Sequence, residues 1–209
     1  MQPTLNMAQT YSKDRLAPML RDTPKLHGKV GDPRSRDSEN TVLHKRFAGG
    51  HITVVGANSA SGLASRPIRV LLADEVDRYP PSAGTEGDPI NLARKRTTTF
   101  WNRKIIMAST PTIKGVSRIE AAFNVSDQRY YYVPCHECEH KQVLKWKSVV
   151  WEENKPETAT LSCEDCGAVL PESKKQWMLA NGEWRSSNPE SKIVGFHISE
   201  LYSPFRKLE

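Results

Sequence analysis

Residues 69–80 read RVLLADEVDRYP, and how this stretch is read decides the fold. Val70, Leu71, Leu72 and Ala73 form an unbroken aliphatic run that ends at Asp74 and Glu75, with Asp77 two positions on. A strand inside a parallel α/β sheet is buried on both faces, so it reads as continuous aliphatic residues, and such sheets bind ligands at the carboxyl ends of their strands. An aspartate there can hold magnesium, usually through water, because the ion keeps its hydration shell. A glutamate beside it can orient and deprotonate the water that attacks a γ-phosphate. The plainer reading is a core strand that stops at a polar turn.

A second stretch, KIIMASTPT over 104–112, favours the first reading. It is another apolar strand, and it ends in Ser109, Thr110 and Thr112, whose hydroxyls could sense a γ-phosphate by bonding to it or to the acidic pair. Pro111 blocks continuation of the strand, so an ordinary polar strand end is the alternative. The order of the two stretches fits the Walker B strand and coupling segment of an additional-strand ATPase. Asp74 and Glu75 are then the catalytic candidates. Asp74, Asp77, Ser109, Thr110 and Thr112 are nucleotide or magnesium contacts, and Arg66, after the flexible loop NSASGLAS, is a guanidinium within reach of a phosphate. No G-x-x-x-x-G-K-[ST] loop occurs in the 209 residues. The expectation is an α/β, P-loop-type ATPase sheet without its Walker A strand and loop, able to bind ATP weakly or not at all by itself.

Working outward, residues 11–21 have apolar positions at helical spacing, with Pro18 set to kink or shorten the helix. Residues 22–40 read as a surface connection. TVLHKRF and HITVVGA flank AGG, where Gly49 and Gly50 permit a tight hairpin turn. A helix-like stretch follows near 88–101, and its basic run ARKRTTTFWNRK reads as a solvated helix face. The balance of 30 Lys+Arg against 24 Asp+Glu gives +6, compatible with a polyanionic partner. No apolar run approaches the roughly 20 residues that span a bilayer, and no secretory signal opens the chain.

The texture changes near residue 130, where aromatic, short-stranded sequence begins. Cys135-x-x-Cys138 and Cys163-x-x-Cys166 are separated by 24 residues. Two such knuckles present four thiolates to one ion, and a closed Cys₄ set leaves no open coordination position, so a structural Zn²⁺ is expected. His136 and His140 are nearby but unnecessary. Gly167 follows the second pair, as knuckle turns favour, whereas Glu139 follows the first. Trp146 and Trp151 read as parts of a small ribbon core, while Lys141, Lys145 and Lys147 are either solvated or phosphate contacts.

With these residues in hand, the chain resembles the large terminase subunit of tailed phages, GpA type. The stretches that carry the likeness are QPTLNMAQTYSKDRLAPMLRDTP, FAGGHITVVGANSASGLASRPIRVLLADEVDRYP, MASTPT, YYVPCHECEHKQVLKW, LSCEDCGAV and GFHISELYSP, in that order. The resemblance implies an ATP-driven motor that packages double-stranded viral DNA, with Asp74 serving magnesium, Glu75 as base and Ser109, Thr110 and Thr112 in the coupling segment. It also implies a separate nuclease domain that cuts concatemeric DNA, a small terminase subunit and a portal as partners, and the host cytoplasm as the setting. By the same likeness, the chain begins inside the ATPase domain and stops before the nuclease. The implied layout is a partial ATPase domain over 1–130, a zinc ribbon over 131–172, and a linker leading onward over 173–209. Two alternatives are a stand-alone zinc-ribbon nucleic-acid-binding remnant without ATPase activity, and a helicase-like ATPase fragment. A sheet lacking its first strand exposes an edge, so the ribbon is expected to fold better than residues 1–130.

Overall fold

The computed structural model describes residues 1–31 and 40–205, and the chain divides into two units, Met1–Ile119 and Glu120–Glu209. Residues 32–39 of the connection expected over 22–40 therefore lie outside the described residues, as does the end of the last segment. The division falls at 119/120, about ten residues before the change of texture.

In the first unit, helix α1 (Leu5–Tyr11) starts at Thr4, whose hydroxyl accepts the Met7 N–H. A π turn over Ser12–Leu16 leads into α2 (Ala17–Asp22). Pro18 falls in the first turn of α2, but the helical backbone continues into it from the π turn, so the N–H that proline lacks leaves one bond of the continuous helix unmade. The wide turn before it is the irregularity this proline demanded. Strands β1 (His44–Phe47) and β2 (Gly50–Thr53) form the expected antiparallel hairpin, with Gly49 at φ 83° in its turn. The Ser/Gly-rich loop contains a short helix, α3 (Ala60–Ala64), because Ser59 caps it through the Gly62 N–H and Leu63 is buried beneath it.

The quoted run forms β3 (Val70–Asp74). Helix α4 (Pro89–Lys95), capped by Asp88 and opened by Pro89, returns the chain to β4 (Lys104–Ala108). β3 and β4 are parallel, registered from Val70 opposite Lys104 to Asp74 opposite Ala108. The expectation of burial on both faces is corrected. Leu71 and Ala73 are packed against Leu63, Ala93, Val76 and Ile90, but Val70, Leu72 and Ile106 are exposed. Among the described residues no element covers that face, and no further strand pairs with β3 or β4. Only the Met1 backbone lies along the β3 edge, where its carbonyl accepts the Asp74 N–H.

Helix α5 (Arg118–Asn124) carries the chain into the second unit. There β5 (Arg129–Pro134) continues through a turn into β6 (Lys141–Gln142), and β7 (Val149–Glu152), β8 (Lys155–Ser162) and β9 (Val169–Leu170) form a three-stranded antiparallel sheet. Helix α6 (Glu172–Ala180) follows, then β10 (Glu183–Ser186) and β11 (Phe196–His197), which pair with β5 antiparallel and parallel respectively. The core joins Val133, Leu144, Val149, Leu161, Leu170, Met178 and Tyr202 to Cys135 and Cys163. Tyr202 accepts the Leu144 N–H and donates to the Tyr131 carbonyl, which fixes the end of the described chain onto this core. The segment read as a linker is thus folded into the unit as far as it is described. Trp146 and Trp151 do not complete the core; both are more than half exposed. Alternation alone would put Trp151 on the same face as buried Val149, but the pairing of β7 with β8 shifts register between Val150 and Glu152, which takes Trp151 out of that alternation.

Candidate functional site

The three acids at the end of β3 do three different things. Asp74 accepts a hydrogen bond from the amide of Gln2 (3.1 Å), a buried residue in the extended segment ahead of α1. Glu75 is held in the left-handed region (φ 56°), a conformation that costs a non-glycine residue about 1 kcal/mol, and its carboxylate pairs with Arg78 at 3.0 Å. Asp77 faces the opposite strand. Its Oδ2 accepts the Thr112 N–H (3.0 Å) and hydroxyl (3.3 Å), and its Oδ1 accepts the Ile119 N–H (2.9 Å) at the start of α5. Its own N–H donates to the Ser109 hydroxyl (3.2 Å). Burial opposes ionisation of Asp77, but hydrogen bonds from Ser117, Ile119 and Thr112 outweigh it and hold the carboxyl below its usual range. Among the described residues these acids do not converge into a three-ligand metal set.

Two of the three hydroxyl residues therefore meet the acidic turn. Ser109 and Thr112 bind Asp77, whereas Thr110 is exposed and its carbonyl accepts the Ser109 hydroxyl. Arg66 is not brought to the acids. It lies before the first residue of β3, whose five residues at about 3.3 Å each separate the strand's two ends. Its field is felt instead at His44, in β1, whose pKa is lowered by burial first, then by His51 and Arg66.

Sequence reasoning missed Arg118. Its guanidinium donates to the carbonyls of Val76 (3.3 Å), Tyr79 (2.8 Å) and Pro80 (2.9 Å) and pairs with Asp88 at 3.3 Å. It thereby staples the turn that presents Asp74, Glu75 and Asp77. Tyr79, buried in the same turn, donates to the Met1 carbonyl, and burial followed by the charge of Asp74 raises its pKa. The only local signal for Arg118 is a cation at the start of a short apolar helix, which marks nothing by itself.

In the second unit the two knuckles repeat one backbone design. Cys135 N–H donates to the His140 carbonyl (2.9 Å) and Glu139 N–H to the Cys135 carbonyl (3.1 Å). Cys163 N–H donates to Ala168 (2.8 Å) and Gly167 N–H to Cys163 (3.2 Å). The fifth residue of each is left-handed, Glu139 at φ 60° and Gly167 at φ 73°. All four sulfurs lie within 4.8 Å of one another, with Cys135–Cys166 at 3.8 Å and Cys138–Cys163 at 3.7 Å. A tetrahedron of thiolates about 2.3 Å from zinc has edges of about 3.8 Å, so the residues fit that ion. The N–H of His140 favours the Cys138 thiolate, but burial and the neighbouring thiols outweigh it and push the group up to about 12. For Cys163 burial opposes ionisation, yet the N–H groups of Cys166 and Asp165 and the adjoining thiols bring it down to about 7. A cation is what lets all four ionise together. His136 and His140 are not part of the cluster.

Comparison with known proteins shows the family. A family profile described as "Phage terminase large subunit gpA, ATPase domain" matches residues 1–184. The chain is similar to the "Terminase, large subunit" of Enterobacteria phage P21, 31% identical over 229 residues that cover 98% of this chain and 36% of that protein. It is also similar to the "Terminase, large subunit" of Escherichia phage lambda, 26% identical over 228 residues, 97% of this chain and 36% of that protein. The chain thus spans 36% of the length of these curated relatives. No solved structure matches it.

Proposed function

The chain belongs to the phage terminase large subunit family of the gpA type, and from that premise we propose that it supplies the hydrolytic turn and a zinc-held unit of a motor that packages viral DNA. The observation that carries this reading is Asp77. One side chain joins the turn after β3 to the hydroxyl segment after β4, so a change at either strand end is transmitted to the other.

Asp74 is the magnesium residue. It sits at the carboxyl end of a parallel strand with one neutral amide on its carboxylate, while Asp77 is fully engaged by the protein. Magnesium, when bound with ATP, neutralises charge on the phosphates. Glu75 orients the attacking water and takes its proton. Its pairing with Arg78 is at the surface and easily broken, and its left-handed backbone is the kind of strain held where a side chain must be aimed. Ser109, Thr110 and Thr112 are the coupling segment. The Cys₄ site holds a structural zinc. Double-stranded DNA, a small terminase subunit and a portal are the partners, in the host cytoplasm. No helix among the described residues is long and apolar enough to cross a membrane.

The reading of the second unit as a stand-alone nucleic-acid binder is less well supported. Lys145 and Lys147 both pair with Glu164, at 3.2 and 3.5 Å, and Lys141 pairs with Glu183 at 2.7 Å.

The test is to replace the matching segment of the phage P21 large subunit with residues 1–184 of this chain and measure ATP turnover with DNA present. Glu75→Gln is expected to lower turnover at least about 100-fold. Turnover that Glu75→Gln leaves unchanged would overturn the assignment.

A further inference from the structure

The end of the β3–β4 pair opposite the acids collects cations from three separate segments. The Ile68 N–H donates to the Arg96 carbonyl (3.0 Å), which brings the end of α4 to the entrance of β3. The Lys104 N–H donates to the Arg69 carbonyl (2.9 Å), which sets the start of β4 beside it. Between them the chain turns through Phe100 N–H to Thr97 carbonyl and Arg103 N–H to Phe100 carbonyl. Arg66, Arg69, Arg94, Lys95, Arg103 and Lys104 are all exposed on this rim. Among the described residues the ion pairs of this unit use Arg21, Arg78 and Arg118, and none uses these six. At the turn stands Trp101, which is 92% exposed.

Each part has a plain explanation that does not reach the whole. Basic residues in the last turn of α4 complement the helix dipole, but Arg66, Arg69, Arg103 and Lys104 lie outside that helix. A large aromatic left in water gains nothing from folding, and an unpaired basic rim around it repels itself. Both features become favourable against a polyanion that also has flat apolar parts. Phosphates take the cations and release counterions, while sugars and bases offer surface to an indole.

We propose that this rim is a contact for the DNA backbone, with the six cations on phosphates and Trp101 against a sugar or base. It rests on the reading of DNA as the partner. The geometry puts the DNA contact and the hydrolytic turn at opposite ends of the same two strands, so the strands themselves link them.

The experiment is anisotropy of a labelled random-sequence duplex with the 209-residue chain, titrated over a range of salt. Arg103→Gln with Lys104→Gln is expected to weaken binding and to reduce the slope of log K against log salt by about 2. Trp101→Ala is expected to weaken binding of the duplex without changing that slope, because the indole carries no charge. Lys145→Gln with Lys147→Gln, in the other unit, leaves both unchanged. Circular dichroism confirms that the variants fold, as these exposed positions allow. Wild-type binding with the rim variants equally tight and equally salt-dependent overturns this inference and leaves the DNA reading standing. No binding by the wild type overturns the DNA reading itself, and the rim contact with it.

Discussion

The cysteine centre takes its four ligands from two turns, 135–140 and 163–168, that share one hydrogen-bond plan and hold their ligands three residues apart. The acidic turn is assembled differently. Residues 74–80 are held by Gln2 from the amino terminus, Ser109 and Thr112 from beyond β4, and Ile119 and Arg118 from α5. The charge of the two units differs in the same sense. Residues 1–119 carry 19 Lys+Arg against 10 Asp+Glu, a net of +9, whereas 120–209 carry 11 against 14, a net of −3. The unit with the self-contained cysteine cluster is acidic, and the basic charge of the whole chain lies in the unit with the dispersed turn. Closure by local turns makes a site independent of the rest of the protein. A site drawn from distant segments depends on every one of them.

The strongest way to break this comparison is to remove the metal. Structural zinc of this kind contributes about 10–16 kcal/mol of binding free energy, as large as the whole stability of a small domain, about 5–15 kcal/mol. One zinc per chain is expected by elemental analysis. A chelator, or Cys135→Ser, should abolish cooperative unfolding of the second unit and expose it to trypsin, while the tryptic pattern of residues 1–119 stays as it was. A second unit that remains protease-resistant without zinc would show that its aliphatic core around Val133, Leu161 and Tyr202 suffices alone.

Acid should separate the units more finely. Asp77 and Asp127 both have carboxyls held below the usual range. For Asp77 hydrogen bonds overcome the cost of burial; for Asp127 the Gly195 N–H leads, followed by the Arg129 bond once burial has opposed it. A depressed folded pKa contributes stability that is present above the unfolded value, near 3.9, and is lost as pH falls through the folded one. Both units should therefore weaken below about pH 4. Asp77→Asn keeps one acceptor oxygen for the Ile119 N–H but puts an amide NH₂ where Oδ2 accepts from Thr112, so it should cost the first unit about 1–2 kcal/mol at neutral pH and remove part of its acid dependence. The second unit should keep its own. Urea midpoints of the two transitions between pH 3 and 6 check this, and equal acid dependence in wild type and Asp77→Asn would remove Asp77 from the account.

What could be read in the sequence follows the same divide. The cysteine cluster was legible because each pair lies within four residues and the two pairs repeat one spacing. The strand Val70–Asp74 and its parallel neighbour were legible from aliphatic runs that end in polar residues. Arg118 and Gln2 were not, because their partners lie 30 to 72 positions away and only the fold brings them together. Arg66 precedes β3 whereas the acids end it, a separation that nearness in sequence does not reveal. Trp146 and Trp151 were assigned to the core because aromatic content says nothing of which face a residue occupies. Leu72 and Val70 erred in the same direction, since an aliphatic run predicts burial on both faces but cannot supply the element that would cover the second one.

The smallest effect bears on the matched knuckles. Glu139 and Gly167 occupy equivalent left-handed positions, and only one of them is a glycine. A left-handed conformation costs a residue with a Cβ about 1–2 kcal/mol, and glycine gives back about 0.5–1 of that through the greater freedom of its unfolded chain. Glu139→Gly should therefore stabilise the zinc-loaded second unit by roughly 0.5–1 kcal/mol and raise its melting temperature by about 2–6 °C. The same change at Glu75, also left-handed, relieves the same strain but removes the proposed base, so stability should rise as ATP turnover falls. If Glu139→Gly destabilises the unit, the carboxylate at 139 has a role that the symmetry of the two turns conceals. If it stabilises while Glu75→Gly abolishes turnover, the two glutamates in one backbone conformation are held there for different reasons: one by the indifference of a turn that the metal secures, the other by the chemistry its side chain performs.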